Sequence, residues 1–218
     1  MTSTRTARAL AITLLMALAG TGCSRATGES APGPRIVQPG LPGSESTVVT
    51  APSVRSGGTP HTAADTRFMQ GMINHHAQAI VMSDLVAERT TNETIRMLAL
   101  RIRISQVDEI ALMQKWLRDR GESVPDPAHH MHSEHGLMAG MLTQEDLDRL
   151  AAARGADFDR LFLEYMIRHH EGAITMVAEL FASPGAGQET DIFRVASEVD
   201  TDQRIEIARM RAMLNARN

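Results

Sequence analysis

One block of residues recurs along this chain at a fixed offset. Asp65, Phe68, Met72, Ile73, His75, His76, Ala79, Ile80 and Met82 return as Asp159, Phe162, Met166, Ile167, His169, His170, Ala173, Ile174 and Met176. A second set follows each block: Ile95, Ala99, Gln106, Glu109, Ile110, Met113 and Leu117 return as Ile192, Ala196, Gln203, Glu206, Ile207, Met210 and Leu214. Within each set the apolar residues keep helical spacing, so each half reads as a pair of helices joined by a turn. Two antiparallel hairpins that must bury their apolar faces on each other make an all-α, up-and-down four-helix bundle. Five Phe, one Tyr and one Trp are few for such a core. Leu, Ile, Ala and Met must fill it, which suits helix packing better than a sheet sandwich.

Punctuation sets the element limits. Thr62 with Asp65 three residues on resembles a capping box for helix one, which is expected to run to about Arg89. Thr91 and Asn92 open helix two, and Gly121 stops it. Thr143 with Asp146 starts a short helix ending near Gly155; helix three then runs to about Ala182, and helix four from about Glu189 to the end. The expected domain is therefore 62–218: repeat one at 62–121, a connector rich in His and Met at 122–142, and repeat two at 143–218. That is about 155 residues, enough for one compact domain.

The first residues have the layout of a secretory signal: Arg5 and Arg8, an apolar run from Ala9 to Ala19, then Gly20, Thr21, Gly22 and Cys23. The run is too short for a permanent membrane helix. Cys23 stands where a lipoprotein signal peptidase would leave a lipidated cysteine; Gly20 departs from the usual Leu or Val, so cleavage without lipidation is the alternative. Residues 1–22 are thus expected to be removed, and 23–61, dense in Pro, Gly, Ser and Thr, to be a disordered, flexible tether. The mature protein is expected in the cell envelope, lipid-anchored to the outer face of the cytoplasmic membrane, or else periplasmic or extracellular. A net charge of −4 with interspersed Arg and Glu gives no sign of nucleic-acid binding.

Cys23 is the only cysteine, so a metal site must use His, Met, Asp or Glu. At about 100° per residue, His75 shares a stripe of helix one with Met72 and Met82, and His76 lies beside it on the apolar face. His169 and His170 repeat this beside Met166 and Met176, and a pseudo-twofold axis would turn the two pairs toward each other. Imidazole with thioether selects copper, Cu(I) above all, over hard cations. Such ligation should weaken as pH falls through about 6.5. Gln106 with Glu109 and Gln203 with Glu206 are candidate partners that orient the imidazoles, or carboxylate ligands in their own right. His129, His130, Met131, His132, His135, Met138 and Met141 form a second tract suited to loose capture of copper or zinc.

The plainer reading makes these core residues: Met fills irregular helical interiors, and a buried His often only hydrogen-bonds a carboxylate. Four buried imidazoles without partners would cost about 1 to 3 kcal/mol each, which favours a ligand or a specific polar role for the tetrad. A two-metal carboxylate oxidase needs Glu-x-x-His on two helices, and no Glu here is followed by His three residues later. No nucleophile with its base stands out, so no catalytic role is assigned. The expected partners are a metal ion, the membrane through its anchor, and either a second copy or a copper-exchange protein.

The pattern Phe, Met-Ile-x-His-His, Ala-Ile-x-Met, then Gln-x-x-Glu-Ile-x-x-Met resembles the family called domain of unknown function 305, in two tandem copies. The resemblance implies a ferritin-like helical bundle, with copper binding among some extracytoplasmic members. It would carry a copper role to Met72, His75, His76, Met82, Met166, His169, His170 and Met176. Met69 is matched by Leu163, so the halves need not bind equally.

Overall fold

The structure is a computed structural model, which describes residues 35–38, 47–50, 60–126 and 137–216. The expected signal segment, Cys23, and His129, His130, Met131, His132 and His135 of the tract lie outside these. The chain divides into two units, Met1–Val54 and Arg55–Asn218. In the first, β1 (Arg35–Gln38) pairs antiparallel with β2 (Thr47–Thr50), placing Ile36 opposite Val49 and Val37 opposite Val48. β-branched residues at the paired positions favour this extended backbone.

The second unit is helical. α1 (Ala63–Asp84) starts at the Thr62–Asp65 capping box, as its sequence predicts. It gives way at Leu85 to a single turn, α2 (Val86–Arg89), rather than running unbroken to Arg89. Leu85 keeps right-handed helical backbone, φ −68° and ψ −26°, so the interruption is local. Asn92 caps α3 (Glu93–Asp119) through the N–H groups of Thr94 and Ile95. Gly121, at φ +69°, ends it, with Glu122 N–H donating to the Leu117 carbonyl at 2.9 Å. A second capping box, Thr143 with Asp146, opens α4 (Gln144–Ala152); α5 (Gly155–Ala182) and α6 (Thr190–Asn215) complete the unit.

α1 packs on α3 and α5 on α6, and the hairpins meet mainly along α1 and α5. The repeated aspartates tie each hairpin to the turn of the other. Asp65 accepts from Gly187 N–H at 2.7 Å, and Asp159 from the Asn92 side chain at 3.2 Å. His61, just before the capping box, bonds Glu122 at 2.9 Å and meets the Trp116 ring edge-on.

The core falls into two apolar clusters. One joins Met82, Ile95, Leu98, Ile102, Phe158, Phe162, Met166 and Met210. The other joins Phe68, Met72, Met113, Leu117, Val177, Leu180, Ile192 and Val199. In sequence, all four long helices pass from one cluster to the other through a polar stretch: His75 and His76, Gln106 and Glu109, His169 and His170, Gln203 and Glu206. The repeat thus places one polar layer across the middle of the bundle.

Candidate functional site

Each histidine of this layer is at most 1% exposed, and each uses Nε2 within the protein. His76 pairs with the Glu109 carboxylate, and His170 Nε2 lies 2.7 Å from Glu206 Oε2. His75 Nε2 lies 3.0 Å from the carbonyl oxygen of Ala139, and His169 Nε2 lies 3.0 Å from that of His75 itself. The rings of His75 and His169 face each other across the hairpin boundary, centroids 3.8 Å apart at 36°. On all four rings Nδ1 is buried with no hydrogen-bond partner.

A carbonyl only accepts, so His75 and His169 must carry their protons on Nε2. When these rings are neutral, Nδ1 is a bare lone pair. Both are held neutral: burial, then the charge of neighbouring His76, lowers the His75 pKa to about 3 despite the bond to Ala139. Burial and the His75, His170 and His76 charges push His169 well below the usual range. Protonation of these two rings is thus displaced well below the pH of about 6.5 at which an ordinary imidazole takes up its proton. Burial pushes the Glu109 carboxyl up, but the bond and charge of His76 and the Ser105 hydroxyl outweigh it and hold it below the ordinary value. One ring nitrogen on a carbonyl or carboxylate with the other left open is the arrangement in which histidines serve as metal ligands.

The thioethers divide. Met72, Met82 and Met166 are fully buried within the apolar clusters. Met176 and Met138 are half-buried and converge above Gly71, where an added Cβ would lie 3.3 Å from Met176 Cε and 3.3 Å from Met138 Sδ. They line an open cavity of about 280 Å³ together with Ala139, whose carbonyl holds His75. Met141 is half-buried in the same connector. Among the described residues, no three His, Cys, Asp or Glu side chains converge to hold a metal ion.

The structure brings the His75 and His169 rings together and pairs His76 with Glu109 and His170 with Glu206. Gln106 and Gln203 are buried in it with Oε1 unpartnered. What the sequence did not reveal is the seating of residues 138–142. Gln78 clamps Leu142 through both main-chain groups, at 2.7 and 3.0 Å, and the Ala139–Gly140 backbone lies on Gly172. A Cβ at Gly172 would sit 2.0 Å from the Ala139 oxygen. The available signal was that Gly172 stands where the first block has Gln78.

Comparison with known proteins agrees with this architecture. A DUF305 fragment from Deinococcus radiodurans is 31% identical with a TM-score of 0.64, over 72% of this chain and 99% of that one. CopM in its Cu(II)-bound form is 28% identical with a TM-score of 0.59, over 71% of this chain and 97% of that one; it is also solved with Cu(I) and with Ag. The uncharacterized protein L153 of Acanthamoeba polyphaga mimivirus is 43% identical over 56 residues, 26% of this chain. That stretch is only 37% of the length of L153. The family model Domain of unknown function (DUF305) matches residues 65–214, taking in both hairpins, and this chain belongs to that family.

Proposed function

We propose that this protein is a copper-binding lipoprotein of the cell envelope, anchored through Cys23, that sequesters or passes on copper by His and Met side chains. The observation that carries the reading is the set of buried imidazoles whose Nδ1 atoms have no partner while each Nε2 is engaged. Neutral imidazole with thioether suits Cu(I). The ligand set is His75, His76, His169 and His170 with Met72, Met82, Met166 and Met176, oriented by Glu109 and Glu206; Gln106 and Gln203 support them. His129, His130, Met131, His132, His135, Met138 and Met141 form the capturing tract. The hairpins are read as tandem copies, on their identities at fixed offset. The copper-bound forms of CopM support the metal, and no described helix is long and apolar enough to cross a membrane.

Titrating the full chain with Cu(I) against a competing chelator tests this. Binding tighter than about micromolar is expected, and weaker binding discards the reading. One observation favours a second reading, in which the histidines only lock the hairpins together: His169 donates across the boundary to the His75 carbonyl. Replacing His75, His76, His169 and His170 together by Ala separates the two. Unaltered metal content with lost folding would select the lock.

A further inference from the structure

We infer that the outer face of α3 is a self-association surface, across which a second copy of this chain packs its own α3 antiparallel. The residues that carry it are Met97, Leu100, Ile104 and Val107, which are 58%, 50%, 52% and 41% exposed. Their spacing of three, four and three continues to exposed Ala111 and is that of a coiled-coil seam. At about 100° per residue they fall on one stripe roughly 80° wide. Ile95, Ile102, Gln106 and Met113, which face the bundle core, lie on the opposite side of the helix. α3 is thus apolar on two faces, and among the described residues only one of them is covered.

The fold does not require this second stripe, because α6 lacks it. At the positions matching Met97, Leu100, Ile104 and Val107, α6 carries Arg194, Ser197, Thr201 and Arg204. The same role in the bundle is filled by a helix with a polar outer face, as a face in water demands. Shallow grooves border the stripe toward α1, beside Val86 and Leu100, and toward α6, beside Met97 and Met213; they supply holes for incoming side chains.

Charge selects the occupant and its direction. Arg96, Arg103 and Lys115 on α3 are each paired within the chain, with Glu93, Asp84 and Asp119. Arg101 and Asp108, two heptad-equivalent positions on one flank of the stripe, make no ion pair among the described residues. An antiparallel twofold sets Arg101 of each copy against Asp108 of the other, twice over. A parallel pairing would instead bring Arg96 against Arg101 of the second copy, like against like, and leave Asp108 facing Arg103, which Asp84 already holds.

Sedimentation velocity of the purified full chain tests the inference, with helicity checked by circular dichroism. A dimer is expected. Leu100→Glu should weaken it by at least roughly a hundredfold, since the buried charge enters the seam twice. Arg101→Asp alone should weaken it several-fold, and adding Asp108→Arg should restore it. A chain that stays monomeric overturns the inference, as does a dimer indifferent to Leu100→Glu or an exchange of charges that fails to restore association. A monomer that instead co-sediments with phosphatidylcholine vesicles, and loses this on Leu100→Glu, assigns the stripe to a lipid surface and equally overturns it.

Discussion

The two histidine pairs begin from the same sequence and end in different surroundings. In both hairpins the second histidine reaches the glutamate of its packed helix, His76 to Glu109 and His170 to Glu206. These contacts belong to one hairpin each, so repeating the hairpin repeats them. The first histidines diverge. His169 donates to the main chain of α1, whereas His75 donates to Ala139 of the connector. One connector cannot serve two symmetric halves. It lies where Gly172 leaves room and Gln78 offers a clamp, and this brings Met138 beside Met176 above Gly71. The residues shared by the two hairpins therefore make up the polar layer, and the single connector makes its two sides differ.

The comparison is broken most severely at Gly172. Gly172→Ala drives a Cβ into the Ala139 carbonyl, backbone against backbone, and should cost about 3 kcal/mol in urea unfolding. Gly71→Ala meets only the ends of two methionines and should stay within about 0.5 kcal/mol, since the alanine regains helix propensity. Equal losses at the two glycines would mean that the connector is not seated as described.

Acid comes next. The folded His75 pKa is depressed to about 3, so as pH falls below about 6.5 the unfolded chain takes up a proton that the folded chain refuses. Stability is complete above that value and is lost as pH drops; His75 alone removes roughly 2 kcal/mol by pH 5. His169 acts in the same direction. Glu109, with its folded pKa below the ordinary carboxylate value, adds a further loss at lower pH. Urea midpoints of the metal-free chain at pH 7 and 5 measure this, and a flat profile would contradict the burial of the two rings.

The smallest effect sharpens the symmetric part. Glu109→Gln and Glu206→Gln each weaken a charge-assisted bond to a buried imidazole, for about 1 kcal/mol apiece. Matching losses support equivalent pairs. A difference larger than that amount would show that the hairpins divide the layer unequally.

Much of this was legible because helices write their packing into a local period. The fixed-offset identities gave the two hairpins, and the Thr62–Asp65 and Thr143–Asp146 boxes gave helix starts that the structure reproduces. Glu109 and Glu206 could be named as candidate partners or ligands because each stands three residues after a glutamine, at matching places in the two repeats. The seating of Ala139 was not legible, since a carbonyl carries no residue-type signal. Nor was the outer stripe of α3: whether an apolar residue faces a core or water depends on which side its neighbour packs.

The sequence by itself determined the two hairpins, the residues that recur between them and the residue types of the central layer, because these follow from spacing along one chain direction. Tertiary structure decided which imidazole nitrogen is left open, which methionines reach a cavity and which face of α3 stays bare. Those depend on atoms far apart in sequence meeting at distances of a few ångströms, and no local period encodes them.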